Sequence, residues 1–131
     1  MFPDVPLAWM DGMADVNPPV ALSRHKDIRV VEFTNSKIID ELNIAEIGQT
    51  LTTIIDEAPT PKLLLDFGLV DHLSSAALGM LINANGRIKA KNGQLRLANI
   101  KPQIYEVFKI TQLNKLFHIH PTRQEALASF T

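Results

Sequence analysis

Between Pro61 and Leu81 the chain passes from a wholly apolar triplet, Leu63-Leu64-Leu65, through Asp66-Phe67-Gly68 and Leu69-Val70, to Ser74-Ser75 and then Ala-Ala-Leu-Gly-Met-Leu. A short apolar run bounded by Pro and Gly suits a strand buried on both faces, and such strands belong to sheets covered on both sides. From Ala76 the residues favour helix, so Ser74 or Ser75 falls at the N-cap, where a side-chain oxygen accepts a backbone N–H. The order is strand, loop, two serines, helix.

A helix start carries unpaired N–H donors and a partial positive charge, which makes it a ready site for phosphate. Phosphorylating a serine there adds about −1.5 to −2 charges at neutral pH without melting the helix. The plain alternative is that both serines serve as caps and nothing more.

The segment Val70-Asp-His-Leu-Ser-Ser-Ala-Ala-Leu-Gly-Met-Leu-Ile82 resembles the central motif of STAS domains, the bacterial anti-sigma factor antagonists, in which Asp-Ser-Ser-Gly-Leu-Gly opens the second helix. Aligned on Leu78-Gly79, the phosphorylated serine of the family falls on Ser75, with Ser74 as the alternative acceptor. Ser74 stands where the family usually has Asp, and Ala77 where it usually has the first Gly. The resemblance runs from about Arg29 to about Phe130, because Ile38-Ile-Asp-Glu-Leu, Gly93-Gln-Leu-Arg-Leu-Ala-Asn and Tyr105-Glu-Val-Phe fall at the family's spacing. It implies a mixed, mostly parallel α/β sheet with an antiparallel N-terminal part and about four helices largely on one side.

The rest of the chain is read from periodicity. Residues 1–24, with Pro3, Pro6, Pro18 and Pro19, are expected to be an irregular extension, and 25–131 a single domain. Trp9 lies in that extension, either as part of a loose leader or as a docking segment. Ile28–Phe33 reads as a strand, and Thr34-Asn35-Ser36-Lys37 as a turn joining it to a short second arm, Lys37-Ile38-Ile39. From Asp40, a plausible N-cap, the residues Ile44, Ile47, Leu51, Ile54 and Ile55 form one face of a helix ending near Glu57. The helix from Ser75 should bury Leu78, Leu81, Ile82 and Ile88, with Gly93 as its left-handed cap. Gln94–Ala98 is a strand; Pro102 opens a helix with the stripe Ile104, Val107, Phe108; Leu116–His120 is an edge strand; and Thr122-Arg-Gln-Glu125 is a capping box for a last helix through Phe130.

Other constellations argue less. His118 and His120 point the same way on a strand, but a third metal ligand is not evident, so no metal is assigned. Asp40, Asp66 and Asp71 lack the acidic pair that a phosphoacceptor receiver needs after its first strand, and Asp66 reads as a strand-end carboxylate. Adjacent Asp71 and His72 project differently, and no nucleophile-elbow glycines flank the serines, so a Ser-His-Asp triad is not expected. No Gly-rich phosphate loop is present, and no cofactor or catalysis is expected. A formal net charge of −1 gives no general attraction to nucleic acid, and no cysteine allows disulfide or thiolate chemistry. No run of about 18 apolar residues predicts membrane insertion, and the location expected is the cytoplasm.

The function expected is that of a regulatory protein-binding module. Its surface would comprise Asp40, Asp71, His72, Leu73, Ser74, Ser75, Ala76, Leu78 and Gly79. By resemblance, the partners would be an anti-sigma factor or related serine kinase and a serine phosphatase. By the same resemblance, Asp40 would lie near the modified serine, a place it could equally hold as a cap. The alternative function is a constitutive STAS-like accessory subunit of a lipid-transporter complex, without phosphorylation.

Overall fold

The computed structural model describes residues 20–131. A five-stranded sheet has the order β1-β2-β4-β6-β7, formed by β1 (Val20–His25), β2 (Ile28–Phe33), β4 (Lys62–Asp66), β6 (Gln94–Ala98) and β7 (His118–His120). β1 and β2 are antiparallel, and every later pairing in the sheet is parallel. A separate parallel pair joins β3 (Lys37–Ile38) to β5 (His72–Leu73). The helices are α1 (Glu41–Glu57), α2 (Ser75–Ala90), α3 (Pro102–Ile110) and α4 (Arg123–Ala128), with a 3₁₀ turn at Leu113–Lys115. The crossovers that return the chain for each parallel strand of the sheet are α1, α2 and α3, as parallel pairing requires, and α4 follows the last strand.

The central strand explains the layering. Leu63, Leu64 and Leu65 in β4 are each 0% exposed, and they alternate between two cores. Leu63 and Leu65 face the larger core, with Val31 and Phe33 of β2, Leu95 and Leu97 of β6, and the buried faces of α1, α2 and α3. Leu64 faces the smaller one, with Ile28, Val30, Ala98 and Ala126 of α4. Three helices thus share one face and α4 alone covers the other. The α1 stripe buries Ile44, Ile47, Leu51, Ile54 and Ile55, the set that its sequence period predicts. Burying each such side chain contributes about 2 kcal/mol. A run of rings, Phe33 to Phe67 at 4.9 Å, Phe67 to Phe108 at 6.3 Å and Phe108 to Phe117 at 5.9 Å, fixes α3 beneath the loop that follows β4.

Several expectations are corrected. Residues 20–24, assigned to the irregular extension, form most of β1; residues 1–19, with Trp9, lie outside the described residues. The hairpin precedes β2 rather than following it. Its two-residue turn, Lys26-Asp27, puts Lys26 at φ 57, a left-handed conformation usually signalled by Gly or Asn, so the sequence carried no turn signal. With β1 on one side of β2 and β4 on the other, Lys37–Ile38 finds its partner in β5 instead. Ile82 is 43% exposed, and the buried face of α2 is completed by Ala77, Ala84 and Asn85. The left-handed residue after α2 is Asn92, at φ 57, not Gly93. Gly93 is required for space: a Cβ there would lie 2.3 Å from the Pro61 carbonyl oxygen. The edge strand shortens to His118–His120 because the 3₁₀ turn draws in Phe117, whose N–H donates to the Leu113 carbonyl at 3.1 Å. The last helix ends at Ala128, and Phe130 folds back onto the smaller core.

Candidate functional site

Strands β3 and β5 are parallel, and each runs almost at once into a helix, so their pairing sets the starts of α1 and α2 at one end of the molecule. The register is Lys37 with His72 and Ile38 with Leu73. The Asp71 and His72 amides both donate to the Ser36 carbonyl, at 2.6 and 3.1 Å, and the Ser74 amide donates to the Ile38 carbonyl at 3.1 Å. α1 then packs on α2, where a Cβ on Gly48 would lie 3.4 Å from Met80.

The two serines occupy different positions. Ser74 is the N-cap: its backbone is extended (φ −86, ψ 166) and its Oγ accepts the Ala77 N–H at 3.1 Å. Ser75 is the first helical residue, exposed, and its hydroxyl has no partner among the described residues. The Ser75 and Ala76 amides are likewise unpaired there, as expected of a first turn. The helix behind them has 16 residues, long enough to place a full partial charge at its start.

The remaining residues proposed from sequence fall around this pair. Asp40 is exposed and caps α1, accepting the Leu42 N–H at 2.8 Å. Asp71 is ion-paired with Lys101, which opens α3, and that hydrogen bond holds the Asp71 carboxyl below the usual carboxylate range. The contact ties the β4–β5 loop to α3 and leaves His72, exposed on β5, without the Asp partner a triad needs. Leu73 is half-buried, packed against the larger core. Ala76 and Gly79 are exposed, with open space around Gly79. Leu78 points inward, 8% exposed, and supports the helix from below rather than presenting a contact face.

Sequence reasoning missed the apolar exposure nearby. Ile39 is 53% exposed, Leu42 75% and Leu69 49%. A signal for Leu42 existed, since it falls off the Ile44–Ile47–Leu51 stripe. Nothing in the sequence pointed to Lys101, 30 positions from its partner. Asp66 is a structural carboxylate: it accepts from Gly68 N (2.8 Å), Asn99 Nδ2 (3.0 Å) and Arg123 Nε (2.8 Å). Among the described residues, no group of three or more His, Asp or Glu could hold a metal ion, and no helix is long and apolar enough to cross a membrane.

A mixed sheet with an antiparallel start, helices mostly on one face and a serine-capped second helix beside the start of the first define an α/β domain with two helix starts exposed together at one end. The STAS domain model matches residues 20–126, and the chain belongs to that family. It is 27% identical over 93 residues to the candidate anti-sigma factor antagonist BtrV of Bordetella bronchiseptica, covering 71% of this chain and 79% of BtrV. Its fold is similar to an anti-sigma factor antagonist (STAS) domain protein from Planctomyces limnophilus, with a TM-score of 0.79 and 22% identity over 88% of this chain and all (100%) of that one. It is also similar to the Bacillus cell fate determinant SpoIIAA in its phosphorylated form, with a TM-score of 0.64 and 19% identity over 83% of this chain and 96% of that one.

Proposed function

We propose that this domain is a phosphorylation-controlled docking module, in which Ser75 is the acceptor and the unmodified protein binds an anti-sigma factor or related serine kinase. The observation that carries the reading is the contrast between the serines: the Ser74 oxygen is engaged as a cap, while the Ser75 hydroxyl is exposed and without a partner among the described residues. The kinase face would rest on the first turn of α2, with Asp40, Asp71, His72 and Leu73 beside it and the exposed Ile39 and Leu42 supplying apolar contact.

The mechanism is local electrostatics. A phosphate on Ser75 sits at the positive end of α2, beside the first-turn amides of Ser75 and Ala76, so the helix tolerates it. The docked partner does not, because the added charge must be desolvated and repels acidic groups across the interface. A serine phosphatase resets the cycle. The chain acts as ligand and substrate.

The experiment is a binding comparison with a purified anti-sigma-class serine kinase from the same cells. Ser75→Asp should fold normally and bind at least tenfold more weakly, about 1.4 kcal/mol, while Ser75→Ala binds like the parent. Equal affinity for all three proteins would remove the switch and leave the docking face of a constitutive subunit.

A further inference from the structure

β1 forms one edge of the sheet, and residues that lie opposite each other in its pairing with β2 share a face. Val20 lies opposite Phe33, Leu22 opposite Val31 and Arg24 opposite Arg29. Val20, Val31 and Phe33 belong to the larger core, so Leu22 and Arg24 stand on the face that the three helices cover. The cover stops short of them. Ala21 to His25 are all exposed, and Leu22 is 51% exposed although Val31 opposite it is 0% exposed.

The charge on this face is unmatched as well. Two arginines directly opposite each other repel. Arg29 is answered by Glu57 at the end of α1, 3.3 Å away, whereas Arg24 has no ion pair or hydrogen bond among the described residues. Lys26, in the turn that follows, adds a second positive charge, and the neighbouring Asp27 carboxylate is taken by Lys62 at 3.0 Å. The edge strand therefore presents an apolar side chain and, two positions on, a cation without a counter-charge.

We propose that residues 1–19 of the same chain fold back over this face of β1, with Leu7, Trp9 and Met10 against Leu22 and with Asp11 and Asp15 toward Arg24 and Lys26. The chemistry of the segment is read from its sequence: it carries Asp4, Asp11 and Asp15 and no Lys, Arg or His, the complement of the charge on the edge strand. It joins the domain at Val20, the end of β1 nearest Leu22, and Asn17-Pro18 just before that point is a dipeptide that marks a turn. Val20 to Arg24 spans about 13 Å of strand, and the chain from Trp9 to Val20 reaches up to about 40 Å. Tethering supplies an effective concentration on the order of millimolar, so a contact too small to hold a separate partner holds this one. The assignment owes nothing to the Ser75 switch and stands or falls apart from it.

Trp9 is the only tryptophan in the sequence, so the intrinsic fluorescence of the full chain reads this contact directly. In the native protein its emission should be blue-shifted from that of the urea-unfolded chain and shielded from acrylamide, to the same degree at every protein concentration. Leu22→Asp/Arg24→Glu, shown by circular dichroism to be folded, should shift the emission to the red and raise the quenching constant severalfold. Ile110→Asp, at a more exposed apolar residue of α3, should change neither. Arg24→Glu alone should loosen the contact, and adding Asp11→Lys and Asp15→Lys should restore it. A Trp9 as open to acrylamide in the native as in the unfolded chain, or shielding that survives in the folded Leu22→Asp/Arg24→Glu variant, would overturn the proposal. Shielding that grows with protein concentration would overturn it too, by assigning the contact to a second copy of the chain, and a failure of the lysines to restore it would overturn the charge pairing.

Discussion

Ser74 and Ser75 differ by one position along the chain and by function in the fold. The cap bond from the Ala77 N–H to Ser74 Oγ should make Ser74→Ala cost about 1 kcal/mol of stability. Ser75, exposed and without a bond among the described residues, should tolerate Ala within about 0.5 kcal/mol. Urea unfolding of the two variants checks this, and equal losses would place the cap elsewhere. The sequence made the serine pair and its helix legible, because Ser before an apolar helical run is a strong start signal. It could not say which serine caps, since that depends on where the backbone turns from extended to helical. Likewise, Leu78 was readable as part of the motif, but its inward direction follows from the packing of α2 on the sheet.

At the scale of elements, the connection from α2 into β6 shows how close approach is written into a single glycine. Gly93 lies where a Cβ would meet the Pro61 carbonyl oxygen at 2.3 Å and the Ile88 side chain at 3.0 Å, while the Gln94 amide donates to that same carbonyl at 2.8 Å. Gly93→Ala must push the start of β4 away from β6. The expected loss is about 2 kcal/mol, seen as a lower urea midpoint with an unchanged slope. A neutral substitution would mean that Pro61 yields freely. The α1 stripe was legible in full because a 3.6-residue period over 17 residues leaves little ambiguity. The β1–β2 hairpin was not, because Lys26 adopts a left-handed turn conformation without the residue types that announce one. Strand β3 was found but wrongly partnered, since two residues carry no information on which edge they join.

Across the whole molecule, Asp66 links parts that the chain order keeps apart. Its carboxylate joins the end of β4 to Asn99 after β6 and to Arg123 of α4, and Arg123 also lies 3.9 Å from Glu32 of β2. Asp66→Ala should remove about 3 kcal/mol, because it leaves a partly buried guanidinium without its main acceptor. A drop of the thermal midpoint well beyond that of Ser74→Ala would show it, and an unchanged midpoint would contradict it. The parallel sheet and the family were legible from the central strand and its serine motif. The central claim is that Ser75 is the hydroxyl through which this domain is controlled. Peptide mass spectrometry of the protein taken from its native cells, in growth and under stress, addresses it most directly. The account predicts phosphate on Ser75 with an occupancy that changes between the two conditions. Phosphate confined to Ser74, or none on either serine in any condition, would contradict it.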